Sequence, residues 1–169
     1  MERIFCNDFK RLKDGNASLS MILNEKGGII DDSIVTRFPD HFNVVLNAGN
    51  KHIDMEHITR YHEEEFKNKD ITIETHFEDK ALIALQGPKA AEVLQKFVKE
   101  DLTRLPFMGH LITEIPSINA KVQICRCGYT GEDGFEISVL NEKAESLCDI
   151  IFQDEKVAPA GLGARDSLR

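Results

Sequence analysis

Hydrophobic and polar positions alternate along "SLSMILN" (18–24) and again along "IIDDSIVTRF" (29–38), the period-two pattern of half-buried strands. Gly27-Gly28 between them can reverse the chain at little steric cost. Pro39-Asp40 then leads into a third run, "FNVVLNA" (42–48). The spacing predicts a three-stranded antiparallel meander, with Asp31 and Asp32 just inside its second strand and pointing to opposite faces. From Asn50 a helical period takes over, with Ile53, Ile58, Tyr61 and Phe66 as an imperfect apolar stripe and "HEEE" as its solvated face.

Further along, "ITIETHFED" (71–79) alternates as a strand, and "KALIALQG" (80–87) is a continuous apolar run expected to be buried on both faces. Gly87-Pro88 opens "KAAEVLQKFV", with the proline favoured at the first helical position because its missing N–H would have been unpaired there anyway. "HLITEI" and "AKVQICRC" read as strands, "GYTGEDG" as a compact loop and "FEISVL" as the strand leaving it. Asn141 is placed to cap the helix "EKAESLCDIIFQ", whose Ala144, Leu147, Cys148 and Ile151 face one side. "GLGARDSLR" enters a last helix. No repeat or low-complexity tract interrupts the pattern. The fold class is α+β: mostly antiparallel sheet with helices packed to one side.

Composition narrows the function classes. With 169 residues, 41% hydrophobic and 30% charged, the chain is long enough for a real core. Its net charge of −8 repels phosphate backbones, which argues against nucleic acid as a partner. No apolar run approaches the length that crosses a bilayer, and the N-terminus has no secretion-signal or transit-peptide pattern. Cys6, Cys125, Cys127 and Cys148 form no C-x-x-C pair and read as reduced, largely buried thiols. His52, His57 and His62 recur every five residues, about 140° apart on a helix. They fan out rather than converge, so no metal is expected.

Single residues carry little by themselves. Asp31-Asp32 after a hairpin is more often a solvated turn than a site, and Glu132 and Asp133 read as exposed loop carboxylates. "CGYTGEDG" lacks the phosphate-loop pattern, with no G-K-[ST] and no helix directly behind it. Glu136 differs, because it alternates with Phe135 and Ile137 inside an apolar strand, where an unpaired acid is costly. Arg165 and Asp166 could simply pair with each other.

Together, "NEKGGIIDDSIVT", "VVLNAGN", "ALIALQGPKAAEVL", "LPFM", "CRCGYTGEDGFEIS" and "AGLGARDSLR" closely resemble, in order and spacing, the aminomethyltransferase (T-protein) family of the glycine cleavage system. The resemblance runs from about Ile4 to Arg169. It implies transfer of a one-carbon unit from the aminomethylated lipoyl arm of the H-protein to tetrahydrofolate, with release of ammonia and formation of 5,10-methylenetetrahydrofolate. In the family, the first aspartate of the "GGIIDD" motif is the central acid, which falls on Asp31, leaving Asp32 structural or solvated. The folate contacts carry over to Glu136, Tyr129, Arg165 and Asn47, with Glu136 accepting paired hydrogen bonds from the pterin.

The resemblance also implies that residues 1–169 are a folate-binding region, with the family's N-terminal segment and C-terminal barrel domain outside it. The partners are then tetrahydrofolate and the lipoylated H-protein, without nucleic acid or membrane. The compartment is the mitochondrial matrix for a eukaryotic source and the cytoplasm for a bacterial one. Two other readings share the fold: the folate domain of a sarcosine- or dimethylglycine-oxidising enzyme, and a non-catalytic folate-binding module.

Overall fold

A computed structural model describes residues 1–168, which divide into two compact units, the first Met1–Thr75 and the second beginning at His76. Arg169, the last residue of the "GLGARDSLR" run, lies outside the described residues.

The first unit is built on the expected meander. Strands β1 (Ala17–Leu23), β2 (Ile29–Arg37) and β3 (Phe42–Leu46) pair antiparallel in that order. The β1–β2 reversal uses Gly27 at φ +76°, a conformation that costs a residue with a Cβ. Asn24 Oδ1 secures it by accepting from the backbone N–H groups of Lys26 and Gly28, at 3.0 and 2.9 Å. Ile4, Phe5, Phe9, Ile22, Val35 and Tyr61 form the core. Arg37 ties the N-terminal coil to β2 by donating to the carbonyls of Phe9, Lys10 and Leu12.

Helix α1 (Lys51–Tyr61) begins after Asn50 as expected, although the Asn50 side chain makes no capping bond. The apolar stripe is displaced from the sequence reading. Asp54, His57 and Tyr61 are buried, whereas Ile53 is 58% exposed. The offsets between 54, 57, 58 and 61 are the helical i, i+3, i+4, i+7 set, and Ile53 falls about 100° off it. The run "ITIETHFED" forms no strand; Ile71 and Ile73 are exposed. Alternation makes a strand only where a ladder partner is offered.

In the second unit, β4 (Lys80–Gln86), β5 (His110–Ile115), β6 (Ala120–Cys125) and β7 (Gly134–Leu140) form an antiparallel sheet of order β4-β7-β6-β5. Helices α2 (Ala90–Leu94) and α3 (Asn141–Phe152) cover one face. Val93, Leu94, Leu147 and Ile151 pack there against Leu85, Val122, Ile124, Phe135, Ile137 and Val139. On the opposite face Leu82 and Ile112 are exposed, so β4 is not buried on both sides: α2 and α3 lie on the other.

Three local expectations shift. Pro88 sits in the turn that precedes α2, closed by the Ala90 N–H on the Gly87 carbonyl at 2.9 Å, and is not its first residue. Strand β6 stops at Cys125, before Cys127. Asn141 is the first residue of α3 rather than its cap, and its side-chain amide donates to the Glu78 carbonyl at 2.7 Å. A final helix, α4 (Leu162–Leu168), carries Arg165.

Candidate functional site

In the first unit the residues of interest gather where β2 begins and β3 ends. Asp31 lies opposite Ile22 in the β1–β2 ladder, next to a register shift between Ile22 and Leu23. Its side chain is half-buried, while that of Asp32 is exposed. Asn47, just past β3, donates from Nδ2 to Oδ1 of Asp31 at 3.1 Å and to Oδ1 of Asp32 at 2.9 Å. One amide thus holds both carboxylates, although they alternate along the strand. Oδ2 of Asp31 is buried without a hydrogen-bond partner among the described residues.

The sequence reading missed a second acid that Asp31 acts on. Asp54 on α1 is fully buried, and neither of its carboxyl oxygens has a partner among the described residues. Burial first, then the adjacent Asp31 and Asp32 carboxylates, push it up to about 6. On the same helix face, His57 is held between the Leu23 carbonyl, 2.9 Å from Nε2, and the Arg60 guanidinium, 3.2 Å from Nδ1. That pairing makes Nε2 the donor and Nδ1 the acceptor.

In the second unit Glu136 stands on the face of β7 turned away from α2 and α3, directly opposite Ala84 on β4 and Cys125 on β6; Cys125 in turn pairs with His110 on β5. Residues opposite one another in a ladder share a face, so these four form one row across the sheet. Oε2 of Glu136 is buried and unpartnered among the described residues. Burial raises its carboxyl above the ordinary range, with a hydrogen bond from Cys127 as the smaller, opposing influence. Cys127 itself is pushed up by Cys125 beside it, then by burial and by Glu136, and so stays a thiol. Burial alone pushes His110 down to about 4, leaving it neutral at physiological pH.

Tyr129 and Arg165 come together. The Arg165 guanidinium lies 4.1 Å from the Tyr129 ring centroid, and its Nε donates to the Tyr129 carbonyl at 3.1 Å. Arg165 also reaches Asp166 at 3.3 Å, as its sequence neighbour allows. The loop that carries Tyr129 is fixed at two points the sequence reading did not single out. Gln86, closing β4, accepts the Tyr129 N–H at 2.8 Å and donates to the Cys127 carbonyl at 3.1 Å. Arg126 grips Asp133 with two bonds, of 3.0 and 2.7 Å, and donates to the carbonyls of Leu102 and Leu105. Asp133 is therefore a paired anchor rather than a free loop carboxylate. A polar residue ending an apolar strand and a cation between two cysteines were the available signals.

The cysteines are all free: Cys125 and Cys127 are buried, Cys148 is half-buried, and Cys6 is exposed, contrary to expectation. A depression of about 430 Å³, lined in part by Phe9, Arg37 and Phe42, lies toward the far end of β2 and includes none of the candidate residues. Among the described residues no group of three or more His, Cys, Asp or Glu is placed to hold a metal ion.

Comparison with known proteins gives these placements a family context. The model of the GCVT N-terminal domain matches residues 1–169. The chain is 43% identical over 173 residues to the mitochondrial aminomethyltransferase of Flaveria pringlei, covering 100% of this chain and 42% of that protein. It is 44% identical over 178 residues to the mitochondrial aminomethyltransferase of Dictyostelium discoideum, covering 99% of this chain and 43% of that one. The crystal structure of glycine cleavage system aminomethyltransferase T from Bartonella henselae superposes with a TM-score of 0.80 at 36% identity, over 98% of this chain and 43% of that one. The chain thus spans about two fifths of the length of these relatives.

Proposed function

Because the chain belongs to the GCVT N-terminal domain family, we propose that it is the folate-binding region of a glycine cleavage aminomethyltransferase. In this reading the one-carbon unit passes from the aminomethylated lipoyl arm of the H-protein to tetrahydrofolate, ammonia is released, and 5,10-methylenetetrahydrofolate forms. The observation that carries the reading is Glu136, an acid on a sheet face with one buried oxygen left without a donor. A pterin offers two adjacent donors, its amino group and a ring N–H, which match the two oxygens of one carboxylate.

The other residues have roles that fit their surroundings. The Tyr129 ring, stiffened by Arg165 behind it, offers an aromatic face to a flat heterocycle. Folate supplies the nucleophilic amines, and the chain's work is to hold them. Asp31, steadied by Asn47 at Oδ1, orients the attacking amine and accepts its proton. Orientation of this kind can account for a large share of a rate enhancement. For a eukaryotic source the compartment is the mitochondrial matrix, as the names of the plant and slime-mould relatives suggest; for a bacterial source it is the cytoplasm.

Calorimetric titration with tetrahydrofolate, beside a folded Glu136→Ala control, tests the reading. Saturable binding that the substitution removes supports it. Equal binding by both proteins, or none by a cooperatively folded wild type, sinks the assignment of the pterin site to these residues.

A further inference from the structure

Three buried carboxyl oxygens in the first unit lack partners among the described residues: Oδ2 of Asp31 and both oxygens of Asp54. Their number is the clue. One buried acid without a donor is an ordinary flaw, but two that act on each other are an arrangement, because a single proton shared between them serves one oxygen of each. Asn47 already occupies the remaining oxygen of Asp31 at 3.1 Å. Oδ2 is thus the oxygen of Asp31 left over for Asp54, whose carboxyl feels Asp31 both as a charge and as a hydrogen-bonding group.

We propose that Asp31 and Asp54 are a proton-sharing pair, in which Asp54 acts through Asp31 as its positioning residue and holds the proton that Asp31 takes from the substrate. The pair rests on the unpartnered buried oxygens of both acids and on the influence of Asp31 on the Asp54 carboxyl; its use in turnover rests on the transfer reading above. In that use the N–H bond of an attacking folate amine breaks, its electron pair forms the bond to the methylene carbon, and that carbon's bond to the departing ammonia nitrogen or to the lipoyl sulfur breaks, its pair leaving with that group. The proton forms an O–H bond within the pair. It later leaves for the departing ammonia or the lipoyl sulfur, which returns both carboxyls to their starting state. An isolated surface carboxylate is too weak a base for this near neutral pH, whereas a buried pair is better matched.

Other charged groups lie on the same two elements. From β2 come Asp31 and Asp32; Asp32 is exposed and bonded to Asn47. From α1 come Lys51, His57 and Arg60. Lys51 stands one turn before Asp54 and has an interaction of its own. His57 is engaged at both ring nitrogens, and Arg60 is drawn to Glu25 at 2.5 Å and toward Glu64. What acts on Asp54 is burial, then Asp31, then Asp32, all in the direction that favours a bound proton.

Carbon-13 NMR of the chain labelled at its aspartate carboxyls tests the pair without any substrate. The wild type should show a transition near pH 6 sensed by two resonances at once, since coupled groups titrate as a pair. Asp31→Asn removes the like charge and supplies an amide donor, so the Asp54 midpoint should fall by about one pH unit or more. Asp54→Asn should remove the transition near pH 6 from every carboxyl resonance. If it fails to fold, Asp31→Asn carries the same test from the other side. An Asp54 midpoint unmoved by Asp31→Asn, or a single resonance responding alone, overturns the pair.

The catalytic half is read separately, from the pH dependence of turnover with aminomethylated H-protein and tetrahydrofolate. Asp54→Asn should displace the acid limb of kcat/KM, and an unmoved limb would overturn the role in turnover. A pair that titrates as expected in a protein without transferase activity overturns the transfer reading and leaves the pair standing.

Discussion

Arg165 covers Tyr129: its guanidinium carbon sits 4.1 Å from the ring centroid while its Nε holds the carbonyl of the same residue at 3.1 Å. One side chain therefore fixes both the plane and the backbone of the residue assigned to the pterin. Lysine can keep the charge but not the flat, forked contact. Arg165→Lys should weaken tetrahydrofolate binding by about tenfold, the equivalent of the ~1.4 kcal/mol typical of such a stack. Tyr129→Phe, which keeps the ring, should bind within about threefold of wild type if the face is what matters. Calorimetry on the two variants checks both; a larger loss in Tyr129→Phe would assign the contact to the hydroxyl.

The Gln86 clamp predicts an unusual sensitivity at a glycine. A Cβ on Gly134 would lie 2.5 Å from the Gln86 amide, so Gly134→Ala must expel that side chain. The Tyr129 N–H and Cys127 carbonyl then lose the partners they have now. The expected cost is about 1–3 kcal/mol in urea unfolding. Gln86→Ala should cost a similar amount. The double variant should cost clearly less than the sum, because both changes remove the same bonds.

What the sequence could and could not disclose follows from the range of each interaction. The β1–β2–β3 meander was readable because its alternation and its turn residues are local and agree with one another. Helix α1 was located but misaligned by one position, since Ile53 is a stronger apolar signal than Asp54. No local rule says that an acid, not an isoleucine, faces inward. The 71–79 run had the right period and no partner strand, which periodicity cannot report. Glu136 announced itself by interrupting an apolar strand. Asp54, Gln86 and Arg126 act on residues 23, 43 and 7 positions away in the chain, and only the fold brings those together.

Asp54 also leaves a mark on stability. Its carboxyl is raised from 3.8 to about 6 in the folded protein, so the folded state binds the proton more tightly than the unfolded chain does. Stability contributed by this group is then greatest below about pH 4, falls as pH rises toward 6, and is level beyond. A difference of about two pH units corresponds to about 3 kcal/mol as an upper figure. Carboxylates such as Glu92 and Asp154, lowered by Lys156 and Lys96, have the opposite slope at more acid pH. The difference between wild type and Asp54→Asn isolates the residue. Urea unfolding at several pH values from 4 to 7 should show the variant gaining on the wild type as pH rises, and parallel curves would mean that Asp54 ionises in the fold as freely as in the unfolded chain.

Glu136 makes the last prediction, and its sign differs between the free and bound protein. In the free protein burial raises the carboxyl above its ordinary range, because the charged form has lost water and Oε2 has no donor in exchange. A pterin that brings two N–H donors to the same carboxylate favours the charged form and pulls the value back down. Binding should therefore release protons from Glu136 whenever the pH lies between the two values. By linkage, affinity should rise with pH across that interval and level off above it. Titrating tetrahydrofolate in buffers of different ionisation enthalpy measures the proton count directly. Release that disappears in Glu136→Gln identifies the group. Proton uptake, or a count unchanged by that substitution, would mean that the pterin donors find another acceptor.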